Sequence, residues 1–334
     1  MSTALHTGLP GIPALHDIQA PVRDSLERVS DELRRIVFDD FPLIEQVNGH
    51  LLLMKGKLFR PTLTLLSSAV DGRPKPESAS LAAVVELIHL ATLVHDDSVD
   101  HSALRRGMPT INSLFSHQVA VIMGDFLYSR AVVELVRLGS LDVLSVLSRA
   151  TSEMTIGELR QLSALDALGF SESDYESLIR AKTASLLSAA CEIGAVAGAP
   201  RYRTALARYG ERLGMAFQVA DDLLDYTAEQ AMTGKPSGLD LRERKVTLPL
   251  IAALRTMPDA SRRKVADLFA MAEPDDESIA RVIDLVAEEG GLDYARRRGE
   301  DYARDAEAAL SDLPDTPAVA SLRDAIMYVM ERSR

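Results

Sequence analysis

Tryptophan is absent from this 334-residue chain, cysteine occurs once, and aromatic residues make up only 5% of it. A single cysteine, Cys191, excludes an intramolecular disulfide framework and points to a reducing compartment. The expectation for its side chain is a buried small apolar group. Positive charge is also short, with 37 Lys and Arg against 49 Asp and Glu and a net charge of −12. That balance excludes a general nucleic-acid binder, which needs a basic footprint. The first residues lack the charged start and sustained apolar run of a secretory signal. The longest apolar stretch, Leu81 to Val94, is interrupted by Glu86 and His89 and is too short to span a bilayer. A cytoplasmic protein without a transmembrane anchor is the expectation.

What is plentiful is alanine, leucine, arginine and glutamate at helical spacing. Apolar residues reach 47%, enough for a substantial core. Periodicity is nearly continuous from Val22 onward and is broken only by Gly- and Pro-rich punctuation. No run of alternating β-branched residues suggests a strand. We read residues 1–21 as a flexible N-terminal arm and residues 22–334 as one all-α domain, its central helices forming a single bundle around a cavity. The more charged segment after Pro258 is expected to form a peripheral helical layer.

Two copies of Asp-Asp-x-x-Asp stand out. The first carries Asp96, Asp97 and Asp100, the second Asp221, Asp222 and Asp225, and both lie in otherwise apolar helical stretches. Positions i and i+4 share a helix face, so Asp96 pairs with Asp100 and Asp221 with Asp225. Such repulsion beside an apolar core calls for neutralisation. A hard cation such as Mg²⁺ takes carboxylate oxygens and keeps phosphate oxygens as further ligands, so facing clusters imply a magnesium–diphosphate site. One acidic triplet alone is more often a solvated helix face; two, each followed by cations, reverse that balance.

Arg105 and Arg106 follow the first motif; Lys235, Asp240 and Lys245 follow the second. Arginine forks and lysine point charges both suit phosphate oxygens, although cations also cap helix C-termini. Upstream, Lys57 and Arg60 are neighbours on a helical turn with no acidic partner in sight, which suits a second anion bound without metal. His89 lies two turns before Asp96 and is placed to help there, unless a core carbonyl satisfies it.

With these pieces in place the chain resembles the trans-isoprenyl (polyprenyl) diphosphate synthase family. The resemblance rests on Gly56-Lys57-x-x-Arg60-Pro61, LVHDDSVDHSALRRGMPTIN, Gly124-Asp125, Lys182-Thr183, FQVADDLLDYT, GKPSGLD and Lys245-Val-Thr-Leu-Pro249, in the family's order. Arg244 departs from it, standing where many members carry glycine. The resemblance implies the isoprenoid synthase fold, a homodimer, three Mg²⁺ ions, and head-to-tail condensation of isopentenyl diphosphate onto an allylic diphosphate. By that resemblance Asp96 and Asp100 bind two magnesium ions, and Asp221 binds the third with help from Asp225 or Asp222. Arg105, Lys182 and Lys235 hold the leaving diphosphate. The Thr183 carbonyl and the Gln218 amide oxygen face the allylic cation, while Lys57, Arg60, His89 and Arg106 hold isopentenyl diphosphate.

Product length is expected to be set on the helix before the first motif. Ala91 and Thr92 are small where short-chain members place bulky aromatics, leaving a passage toward Ile88, Leu87 and the stretch from Val143 to Leu147. The pattern resembles long-chain members, whose product partitions to the membrane. Alternatives are a geranylgeranyl or farnesyl synthase, a class I terpene cyclase, and a non-catalytic partner subunit. The intact second motif disfavours the cyclase, and the complete set of ligands disfavours the partner subunit. A di-iron bundle would need a second copy of Glu86-Leu-Ile-His89, which the chain lacks.

Overall fold

The computed structural model describes residues 13–54, 56–163, 168–227 and 238–331. The described residues are almost entirely helical. In order they form α1 (Leu15–Gln19), α2 (Arg23–Val37), α3 (Pro42–Leu53), α4 (Phe59–Ser68) and α5 (Ser78–Val99). A two-stranded hairpin follows, β1 (Leu104–Arg105) and β2 (Met108–Pro109), then α6 (Ile111–Leu114), α7 (His117–Leu138), α8 (Leu141–Ser163) and α9 (Glu172–Ile179). A π turn at Arg180–Ala184 leads into α10 (Ser185–Gly198) and α11 (Arg203–Thr227). The chain ends with α12 (Leu239–Arg242), α13 (Leu248–Thr256), α14 (Asp259–Ala270), α15 (Asp276–Glu288), α16 (Gly291–Ala309) and α17 (Pro317–Glu331).

Boundaries follow local chemistry. Ser116, Ser171 and Asp275 accept backbone amides of the first turns of α7, α9 and α15, replacing hydrogen bonds a helix start cannot make. Gly139 ends α7 in the left-handed conformation. The hairpin was not expected from the sequence, because Arg105-Arg106-Gly107-Met108 carries no alternation. It pairs Leu104 with Pro109 and Arg105 with Met108.

Buried α5 is the central helix, packed by α2, α4, α7 and α10. It is 22 residues long, and by length and composition it could cross a membrane, more than the sequence reading allowed. Within the fold 72% of its apolar window is buried, as expected of a core helix. Two further differences from the sequence reading are physical. Leu15–Gln19 is helical and Ile18 is fully buried against the C-terminal helix, so the packed structure begins before Val22. The charged C-terminal region is peripheral only in part. Helices α14 and α15 lie outside, but α16 packs along α11, with Gly299 against Val219.

Candidate active site

A cavity of about 590 Å³ is lined by Asp100 from the first motif and Asp222 from the second, together with Lys182, Thr183, Gln218, Asp240 and Lys245. Two glycines allow its walls to approach. A Cβ on Gly157 of α8 would meet Ala181 at 2.9 Å, and one on Gly214 of α11 would meet the Ala184 Cα at 2.6 Å. Both helices therefore press on the π turn, which interrupts the regular helical ladder where Lys182 and Thr183 sit.

Within the first motif the helix divides the labour. Asp100 accepts the i+4 backbone geometry, its N–H donating to the Asp96 carbonyl at 2.8 Å, so the two side chains share a face as expected. Burial, with Glu158 and Asp100 nearby, raises the Asp96 carboxyl to about 6. Asp97 points elsewhere and is buried under Arg105. The structure adds a partner for Arg105: its Nε and Nη2 are engaged by Asp97. Lys182 reaches the site, held by Glu158 and the Gln161 amide oxygen, each at 2.8 Å.

In the second motif, Asp222 is the buried member. It accepts from the Tyr175 hydroxyl at 2.5 Å and from Gln218 Nε2 at 2.8 Å. Burial and its Asp neighbours still raise it to about 7. Gln218 Oε1 accepts from the Thr183 hydroxyl at 2.8 Å, so this amide oxygen is shared between that hydroxyl and the cavity. Asp225 caps α12, accepting from the Leu239 and Asp240 amides at 3.0 Å each, which leaves only its remaining lone pairs for a cation. Asp221 is exposed on the same helix, one turn before Asp225. Lys235 lies outside the described residues.

Sequence reasoning missed one feature, Tyr175. It gave no signal, because a tyrosine in a charged helix is unremarkable until its partner is known. Its helix is clamped from behind: Tyr294 and Arg255 hold Glu172, while Arg298 and Tyr302 hold Glu176. Asp240, singled out in the sequence beside Lys245, is half-buried and raised to about 8 by desolvation and by Asp222 and Asp225.

A second cluster forms away from the carboxylates. Arg60 Nε is buried without a hydrogen-bond partner, Arg106 is anchored on the Met54 carbonyl at 2.9 Å, and Lys57 is exposed beside the Tyr328 hydroxyl at 2.9 Å. Burial, with Arg60, Arg106 and Arg105 beside it, holds His89 neutral and well below its ordinary value. The sequence reading found no acidic partner here, but the structure supplies one: buried Glu86, close enough to Arg60 and Arg106 for their charges to act on it. A glutamate one turn before His89 is visible in the sequence, yet its proximity to Arg60 depends on how α4 packs on α5.

Residues 41–286 match the polyprenyl synthetase family. The chain belongs to that family. It is 36% identical over 318 residues to an all-trans-nonaprenyl-diphosphate synthase (geranyl-diphosphate specific) of Rhodobacter capsulatus, covering 95% of this chain and 97% of that protein. It is 37% identical over 297 residues to the octaprenyl diphosphate synthase of Escherichia coli, covering 88% and 92%. The fold matches the polyprenyl synthase of Caulobacter crescentus, solved with calcium and isoprenyl diphosphate, with a TM-score of 0.89 at 34% identity over 96% of this chain and 98% of that one. The isoprenoid synthase fold expected from the sequence is therefore the observed one.

The donor set suits a divalent cation. Among the described residues no three carboxylates or histidines converge into a closed cage. Mg²⁺ does not need one, since it keeps waters and phosphate oxygens and takes one or two carboxylates at a time. Burial first, and neighbouring carboxylates after it, raise Asp96, Asp222 and Asp240, a cost that a bound cation would relieve.

Proposed function

We propose that this polyprenyl synthetase condenses isopentenyl diphosphate head-to-tail onto an allylic diphosphate and makes long all-trans polyprenyl diphosphates. One observation carries the reading: the chain presents two anion sites of different kinds. One is a carboxylate-lined cavity with Lys182 and Lys245, suited to a metal-bridged diphosphate; the other is the metal-free cluster of Lys57, Arg60, His89 and Arg106. Magnesium, when bound to Asp96, Asp100 and Asp221, supplies positive charge for the allylic diphosphate, with three ions per site. Lys182 and Lys245 stabilise charge that grows on the diphosphate as its bond to the allylic carbon breaks. The π turn at Thr183 and the Gln218 amide offer dipoles to the cation left behind. The isopentenyl double bond forms the new carbon–carbon bond, and the proton it loses passes to the departed diphosphate. No separate protein base is required.

Length is supported by the octaprenyl and nonaprenyl relatives and by small Ala91 and Thr92 below the first motif. We also propose a homodimer. Ile122, Val133 and Val136 share one stripe of α7 and are 65%, 62% and 66% exposed, an apolar face suited to a second copy. Cytoplasmic residence goes with this reading. Incubating purified protein with isopentenyl diphosphate and allylic primers of different lengths, with and without chelator, tests it. Products of many isoprene units, formed only with Mg²⁺, are expected. Products that stop at farnesyl or geranylgeranyl would favour the short-chain alternative, and cyclic hydrocarbons a cyclase.

A further inference from the structure

Arg244 occupies the left-handed region, with φ 57. A residue bearing a Cβ resists that conformation, whereas glycine adopts it freely. Something must hold arginine there, and the structure shows what does. Its Nη2 donates to the carbonyls of Met271 and Ala272, the latter at 3.1 Å, where α14 ends. A helix C-terminus concentrates unpaired carbonyls and negative dipole charge, so a guanidinium is well matched to it. Two residues earlier, Arg242 donates to the Pro274 carbonyl at 2.7 Å and pairs with Asp276. Both arginines thus fasten the cavity wall to the connection between α14 and α15.

Arg244 and its neighbours in the chain also border the cavity. Lys245 lines the cavity with Glu243, its partner at 2.6 Å, and its N–H donates to the Asp240 carbonyl at 2.7 Å. The turn at Arg244 therefore decides where the Lys245 ammonium stands relative to Asp100 and Asp240, whose charges both act on it. We propose that Arg244 is a positioning residue: its clasp on the end of α14 holds the left-handed turn that aims Lys245 at the leaving diphosphate. This rests on the reading of the cavity as a metal–diphosphate site.

Arg244→Gly is the decisive variant, since glycine takes the same turn without strain and removes the clasp together with the arginine's own edge of the cavity, and hydrogen exchange reads the clasp separately. Titration calorimetry with inorganic diphosphate and Mg²⁺ should show affinity about 2- to 10-fold weaker, the range of one or two net hydrogen bonds. The Michaelis constant for the allylic substrate should rise with it, and that for isopentenyl diphosphate should hold. Hydrogen exchange should quicken at the amides of residues 241–247 and nowhere else. Arg244→Lys, which keeps the charge but not the fork, should recover part of each loss. Wild-type affinity and unchanged exchange in Arg244→Gly would overturn the clasp, as would equal losses for both substrates. Wild-type protein that neither binds inorganic diphosphate nor condenses substrates would overturn the reading of the cavity itself, whatever the exchange data show.

Discussion

The guanidinium of Arg105 grips both carboxylate oxygens of Asp97, with Nε 2.8 Å from each. One aspartate of the first motif is thus structural, tying the end of α5 to the hairpin. Asp97→Asn should cost about 1–3 kcal/mol of stability, because it leaves a charged partner poorly paired beside a buried site. Thermal unfolding measures that loss, and the variant should still depend on Mg²⁺ in the condensation assay. An Asp97→Asn protein as stable as the wild type would show the grip to be incidental.

Asp96 and Asp221 should behave in the reverse way. Asp96→Ala removes a carboxylate whose charge burial already opposes, so folding should be kept or improved. Turnover should nevertheless fall by about 100-fold or more for Asp96→Ala and for Asp221→Ala, since each removes charge that holds the cation at the reacting diphosphate. Full activity in either variant, measured as isopentenyl diphosphate incorporated with saturating Mg²⁺, would contradict the assignment.

The motifs were legible because their spacing is a property of a single helix. Asp96 with Asp100 on one face needed only the helical period, and the all-α class needed only periodicity and punctuation. The partners of these residues were not legible. Arg105 on Asp97, Tyr175 on Asp222 and Glu86 beside Arg60 bring together residues from different elements, or across a hairpin that no alternation announced. Asp225 was expected as a ligand from its i+4 position. That it caps α12 depends on a loop returning to it from residues 238–240. Local periods are written along the chain, whereas long-range pairing depends on how helices pack.

The carboxylates also set a pH dependence. Asp96, Asp222 and Asp240 are raised from an ordinary value of 3.8 to about 6, 7 and 8 in the folded protein. Between those limits the native state holds more protons than the unfolded chain, so this contribution to stability is full below the ordinary value. It is lost as pH climbs through each raised value. A bound cation takes the place of those protons. The gain in melting temperature from Mg²⁺ with inorganic diphosphate should therefore grow from about pH 5.5 to about pH 8.5, and binding should release protons at the lower end of that range. A gain that stays flat across the range would show that these carboxylates do not face the ion.

Product length can be tested on the helix face below Asp96. Ala91 is 2% exposed and packed in the core, whereas Thr92 is only half-buried, with its hydroxyl donating to the His89 carbonyl at 2.8 Å. The two positions should therefore respond differently to phenylalanine. At Ala91 the ring must displace close-packed neighbours, costing about 1–3 kcal/mol and blurring any change in product. At Thr92 it has room to project, about one helical turn below the carboxylate that opens the site. Thr92→Phe should leave the first condensation active and shorten the main product. Leu147→Ala, made on α8 where the side chain is 1% exposed, should open space and lengthen the product if the tail passes there. Chromatographic sizing of the dephosphorylated products decides the matter. Folded, active Thr92→Phe and Leu147→Ala proteins with the wild-type distribution would show that the growing chain leaves the cavity by another face.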